Sequence, residues 1–126
     1  HVASDAEWDT LVNCLINSGY NYDGTTEGNK VAKAMASKTG WNSSANEGSP
    51  GNNQSTNNSS GFNALPTGDN TPNGNLFNEG NAAIFWSSSS IDTDFSYSYY
   101  LEKGNSYLLQ NNTQKIYGES IRFVKD

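Results

Sequence analysis

Twenty consecutive residues in the middle of the chain, NSSANEGSPGNNQSTNNSSG (Asn42–Gly61), contain one alanine and one proline and otherwise no apolar side chain. Such a stretch has almost nothing to bury, so it reads as a long surface loop or a partly disordered segment. The core then has to come from the two flanks, and these differ in texture.

The N-terminal flank is helical. In SDAEWDTLVNCLINSG, Ser4 stands as N-cap with Glu7 three residues on, the capping-box pattern. Trp8, Leu11, Val12, Leu15 and Ile16 fall on one helical face, and Gly19 supplies the stop. Asp5, Glu7 and Asp9 lie in the first turn, where the helix dipole favours anions. Cys14 flanks the apolar stripe and has no basic neighbour, so it reads as a buried small hydrophobe rather than a reactive thiol. A second, shorter helix is expected at roughly Asn29 to Lys38, with Val31, Ala34 and Met35 turned inward.

From Phe62 onward the chain breaks into short runs, FNALP, NLF, AAIFW, FSYSYYL, SYLL and SIRFV, separated by Gly, Asn, Asp or Pro. Each is of strand length. Two helices followed by a succession of strands predict an α+β fold, with the helices packed on a small twisted antiparallel sheet and long polar loops between. At 126 residues the chain is expected to be one domain, spanning 1–126.

Composition narrows the function. The net charge is −6, and only seven Lys and Arg are present, in no block. Nucleic acid is therefore excluded as a partner, since phosphate binding draws its affinity from basic residues. No apolar run approaches the length of a membrane span, so direct membrane insertion is not expected either. The chain begins at His1 without a methionine, which reads as a piece of a longer or processed protein.

Most catalytic chemistries lack their residues. A serine nucleophile in Ser87–Ser90 would need a base, and the only histidine is His1 at the terminus. One cysteine and one histidine cannot supply a zinc site. Asp92 and Asp94 offer oxygen ligands of the kind calcium takes, but without an EF-hand pattern; no cofactor is expected, a structural calcium being the one left open. Glycoside hydrolysis would draw on a carboxyl pair from Asp92, Asp94, Glu102 and Glu119. All four lie in polar sequence surroundings, where nothing is expected to raise an acid's pKa, so catalysis is the lesser reading.

Five segments, in order, carry a resemblance: SDAEWDTL, KTGW (Lys38–Trp41), SGFNALPTG (Ser60–Gly68), GNLFNEGNAAIFWSSS (Gly74–Ser89) and KIYGESIRFVKD (Lys115–Asp126). Together they resemble the Fibrobacter succinogenes major paralogous domain, found largely in Bacteroidetes and Fibrobacteres. The resemblance implies a C-type-lectin-like fold akin to the formylglycine-generating-enzyme branch, in secreted or lipid-anchored surface proteins. Some relatives are variable proteins of diversity-generating retroelements, whose exposed C-terminal residues are diversified to create new ligand specificities. The chain departs from the family where Arg-Leu-Pro-Thr is replaced by HVAS and where a C-terminal cysteine is replaced by Phe123. The enzyme branch's catalytic cysteines have no counterpart, so its oxidase activity is not implied.

Aligned to the family's tail, Ser96 falls at a small position, Leu101 and Leu108 at apolar ones, and Gly118, Ser120 and Arg122 match directly. Between these points lie Asp94, Phe95, Tyr97, Tyr99, Tyr100, Glu102, Tyr107, Leu109, Asn111 and Tyr117, positions at which members vary. With Asp92 they form the expected ligand-binding residues. The plain alternative for FSYSYYL is period-2 alternation, large residues in and serines out. Five tyrosines between Tyr97 and Tyr117 exceed what a small core needs, and exposed tyrosine is a common recognition surface. The expectation is thus a non-enzymatic module, extracellular or on the cell surface, that binds a protein or glycan on a cell or phage surface. A stalk module and a glycan-acting enzyme are the alternatives.

Overall fold

The first helix forms as its cap dictates. In the computed structural model, which describes all of residues 1–126, α1 runs Asp5–Asn17. The Ser4 hydroxyl oxygen accepts the Glu7 backbone N–H, and the Glu7 carboxylate accepts the Ser4 backbone N–H at 2.8 Å. Those two bonds satisfy two of the donors that a helix start leaves free. The carboxylate's hydrogen bonds from Ser4, with His1 beside it, hold Glu7 down at about 2.

The apolar stripe of α1 lies on a three-stranded antiparallel sheet ordered β3 (Ala82–Ser90), β4 (Phe95–Glu102), β5 (Leu109–Gln114). Trp8 is 1% exposed and stacks on Tyr99, ring centroids 5.0 Å apart at 17°. Phe85 and Phe62 complete the group at 5.8 and 6.0 Å from Trp8. Such pairs add about 0.5–1.5 kcal/mol each beyond the area they bury. Cys14, expected to be buried, is exposed. At 3.6 residues per turn it points roughly 110° away from the centre of the Trp8–Leu15 stripe.

α2 is shorter than expected, only Ala32–Met35, although Val31, Ala34 and Met35 are buried as the pattern required. No side chain caps it, and Ala36 is already extended, in a parallel bridge with Ala64. The Ser37 N–H donates to the Ala64 carbonyl (2.8 Å), and the Ala64 N–H to the Met35 carbonyl (2.9 Å). Sheet-like pairing thus takes over after one turn, as tertiary contact overrides propensity.

The polar segment 42–61 is not detached. Ser49, Pro50, Gly51 and Asn57 are buried, and a short 3₁₀ turn spans Gln54–Thr56. Amide side chains do the work of apolar ones. The Asn57 Nδ2 donates to the Ser37 and Pro50 carbonyls (both 2.9 Å), and its Oδ1 accepts the Lys33 ammonium (2.9 Å). Gln54 brackets the Trp41 backbone from both sides, and the Gly51 N–H donates to the Lys103 carbonyl. Side-chain amides here replace the ladder partners that this backbone lacks.

Of the six expected strands, AAIFW and FSYSYYL become β3 and β4, whereas SYLL becomes β5 only from Leu109, continuing through LQNNT to Gln114. NLF supplies the two-residue β2 (Leu76–Phe77), paired with β1 (Asp69–Asn70). FNALP and SIRFV contribute only single bridges, at Ala64, Ser120 and Phe123. Two isolated bridges close the outer edge of β3: Gly68 lies beside Ala83, and Ser120 beside Phe85. An edge covered in this way is not free to pair with another chain. Arg122 fastens the last segment, its guanidinium 4.3 Å over the Phe62 ring and donating to the Phe62 carbonyl (2.7 Å).

The serine run is structural. The β3–β4 register shifts between Trp86 and Ser90. In this bulge the Ser89 hydroxyl oxygen accepts the Asp5 N–H (2.9 Å), while Ser90 donates to the Asp92 carbonyl (2.8 Å).

Two substitutions separate the parts of this core. Trp8→Ala is expected to cost about 3–5 kcal/mol, as for large core truncations. Asn57→Ala is expected to cost about 1–3 kcal/mol by leaving buried carbonyls unpaired. Urea unfolding measures both, and an Asn57→Ala protein as stable as wild type would mean that segment 42–61 is not part of the cooperative unit.

Candidate functional site

The register assigns the two faces of the sheet. Phe85 pairs with Tyr99 and Ala83 with Leu101, and these residues belong to the core cluster with Trp8. Their neighbours in the ladder, Ala82 opposite Glu102 and Ile84 opposite Tyr100, therefore look the other way. On β5, Asn111 and Thr113 oppose Ser98 and Ser96 on that second face. Over it lies a cleft of about 510 Å³.

The cleft is closed on one side by β1 and by the turn that follows β5. Asn70 and Gly118 form an antiparallel bridge with both hydrogen bonds at 2.8 Å. The antiparallel register sets Asp69 directly opposite Glu119, and both line the cleft. Asp69 is buried, and its carboxylate accepts the Asn78 amide at 3.0 Å. One Glu119 carboxylate oxygen is sealed from solvent and has no hydrogen-bond partner. Burial, with the Asp69 charge beside it, pushes the Glu119 carboxyl up from the ordinary 4.5 to about 7.

Five of the expected ligand residues come together here: Phe95, Tyr100, Glu102, Asn111 and Tyr117 all line the cleft. Tyr100 is half-buried, and its hydroxyl is raised by desolvation and by the Glu102 and Tyr107 charges. Glu102 accepts the Asn105 amide at 2.6 Å. Leu109 is half-buried as the register partner of Tyr100, and Tyr107 is exposed in the turn before β5.

The remaining expected residues lie elsewhere. Tyr99 is a correction: it is 3% exposed, stacked on Trp8, and its hydroxyl donates to the Asp5 carboxylate. Burial and that carboxylate raise its pKa, so it is a core residue with a satisfied hydroxyl. Tyr97 shares its strand face, pointing away from the cleft. Asp92 and Asp94 sit exposed in the β3–β4 turn, where the Asp92 carboxylate accepts the backbone N–H groups of Asp94 and Phe95, both at 2.8 Å. That is a turn-forming use of an acid. No third acidic, histidine or cysteine side chain joins them in a metal-binding group. The plain alternation with serines outside does not hold on β4, and Ser96 is buried at the small position that the resemblance implies. Ser96 and Ser98 are buried, because β4 is the central strand; Ser98 bonds Thr113 at 2.7 Å, and Ser96 donates to the Ser89 carbonyl at 2.8 Å.

Sequence reasoning missed Asp69, and it treated Glu119 as an acid that nothing would perturb. Their opposition depends on one isolated bridge between residues 48 positions apart, Asn70 and Gly118 (118 − 70), which leaves no local pattern. The amide-rich run Asn111–Gln114 was the available signal, since β5 brings all four residues to the cleft.

The architecture is that of a small α+β domain, two helices with small antiparallel sheets and a polar cleft on the sheet face away from α1. A family model, the Fibrobacter succinogenes major domain, matches residues 1–125, and the chain belongs to that family. Searches of curated proteins and of solved structures returned no match. No helix is long and apolar enough to cross a membrane.

Glu119 makes stability pH-dependent. Its folded pKa lies above its unfolded one, so the folded state holds a proton that the unfolded chain has released. The contribution is complete below about pH 4.5 and is lost as pH rises through about 7. A shift of this size corresponds to roughly 3 kcal/mol, and solvent screening of a half-buried group reduces it to about 1–2 kcal/mol. Glu119→Gln should remove that part of the decline, as measured by chemical denaturation between about pH 4.5 and pH 8.

Proposed function

We propose that this chain is a ligand-binding module, with a C-type-lectin-like fold, of a bacterial protein displayed outside the cell, and that its site is the cleft over β3, β4 and β5. The observation that carries this reading is the convergence of Phe95, Tyr100, Glu102, Asn111 and Tyr117 on one cavity of about 510 Å³. That volume lies in the range of small-molecule pockets, and three aromatic side chains, Phe95, Tyr100 and Tyr117, stand in a lining that is otherwise mostly polar. The rigid support behind it argues the same way. α1 and the Trp8 cluster hold the opposite face of β3 and β4, so the floor of the cleft rests on regular strands, while the turn after β5 supplies Tyr117 and Glu119.

The ligand is a protein or a glycan, and the family kinship extends the reading to variable proteins diversified by a retroelement. A reverse transcriptase gene beside this one, with a near-identical repeat differing at adenines, would support that extension; its absence from the locus would remove it.

One observation favours a second reading, hydrolysis of a glycan. Glu119 is a carboxyl raised to about 7 beside Asp69, the environment a general acid needs. Under hydrolysis, Glu119→Gln abolishes turnover and leaves affinity in place.

For the binding reading, Tyr100→Ala and Tyr117→Ala are each expected to weaken the ligand by about tenfold or more, typical of an anchor residue. Unfolding stability should shift by only about 1–2 kcal/mol. The check is a glycan and cell-surface-protein array probed with the wild type and both variants. Capture that both substitutions leave unchanged would place the ligand elsewhere on the molecule.

A further inference from the structure

The charge of the cleft goes beyond a generic binding surface. Three carboxylates line it, Asp69, Glu102 and Glu119, and no lysine, arginine or histidine does. Two of them are already engaged, Asp69 with the Asn78 amide and Glu102 with the Asn105 amide. Glu119 keeps one oxygen buried and unpartnered. A buried carboxylate oxygen without a donor is costly, and the like charge of Asp69 directly opposite adds to that cost. A cation entering the cleft would relieve both at once.

The rest of the lining suits a side-chain cation. Tyr100 and Tyr117 supply aromatic faces, and an ammonium or guanidinium is attracted to such a face as well as to the acids. The surroundings suit a protein rather than a free amine. Phe77, the register partner of Asp69 and so on the same face of the β1–β2 pair, is 62% exposed, and Ile116, next to Tyr117, is 65% exposed. Apolar side chains beside the pocket would exclude water from an arginine seated in it, as the contacts around an anchor residue do at protein interfaces.

We infer that the cleft seats an arginine or lysine side chain of a partner protein, held by Asp69 and Glu119 and flanked by Tyr100 and Tyr117, with the exposed Phe77 and Ile116 as apolar neighbours. This rests on the reading of the cleft as the ligand site. It predicts a pH dependence of definite sign. The groups facing Glu119 are Asp69 from β1, Glu102 and Tyr100 from β4, and Tyr117; β3 contributes only the uncharged Ala82 and Ile84. Ionised Glu119 attracts the cation and protonated Glu119 does not, so binding strengthens as pH rises through about 7. By linkage, the bound cation draws the Glu119 titration midpoint down.

The test is an NMR titration of the intact chain with two blocked amino acids of nearly equal shape, Nα-acetyl-arginine methylamide and its neutral isostere Nα-acetyl-citrulline methylamide. A methyl glycoside of N-acetylglucosamine serves as the third probe. The expected result is shift changes at Asp69, Tyr100, Tyr117 and Glu119 with the arginine probe, and binding about tenfold or more weaker with citrulline. The arginine response should also weaken several-fold at about pH 5.5 relative to about pH 8, and in Glu119→Gln, a variant that removes the charge and keeps the shape. Equal binding of citrulline, or a response at the cleft to the glycoside and not to arginine, overturns the inference in favour of a neutral site. No response at the cleft to arginine also overturns it. The broader reading fails separately, when an array ligand ignores both Tyr100→Ala and Tyr117→Ala.

Discussion

The stack of Trp8 on Tyr99 is the contact on which the rest of the molecule depends. It joins the capped helix to the central strand, with ring centroids 5.0 Å apart, and it gathers Phe85 and Phe62 around it. Phe62 in turn carries Arg122, so the segment before the strands and the last residues of the chain are fastened to the same cluster. The apolar content is low, 33%, and aromatic rings supply much of the burial that a richer chain would draw from Leu and Ile. What the rings do not cover, amides do. Asn57 and Gln54 turn a nearly wholly polar segment into packed structure by satisfying backbone groups that would otherwise be stranded.

Once the central strand is fixed in this way, it serves two purposes. Tyr99 faces the helix and Tyr100 faces the cleft, so consecutive tyrosines of one strand belong to the core and to the cleft. The period of two keeps the roles apart, and the core holds the cleft-facing residues of β3 and β4 in place from behind. The serines between them are small enough to be buried on the central strand while keeping their hydroxyls bonded to Thr113 and to the bulge of β3.

The cleft also contains the least favourable electrostatics in the fold. Asp69 and Glu119 are brought face to face by the Asn70–Gly118 bridge, and one Glu119 oxygen is left without a donor. A chain shaped for stability alone would place a neutral residue there. Local strain of this kind concentrates where a site is prepared for a partner, and perturbed acids in a cavity belong to the same pattern.

The sequence alone determined the first helix, its cap, the inward residues of both helices, the α+β class and the family kinship. These rest on neighbouring residues or on the order of motifs, and both are written along the chain. Of the residues it singled out between Asp92 and Tyr117, Phe95, Tyr100, Glu102, Asn111 and Tyr117 reach the cleft. Tertiary structure alone decided that Tyr99 is core, that Cys14 is exposed, that the second helix stops at Met35 and that Asp69 meets Glu119. The reason is physical. Periodicity tells which residues share a face, but which face is covered, and what stands opposite, depends on pairings between segments far apart in the chain.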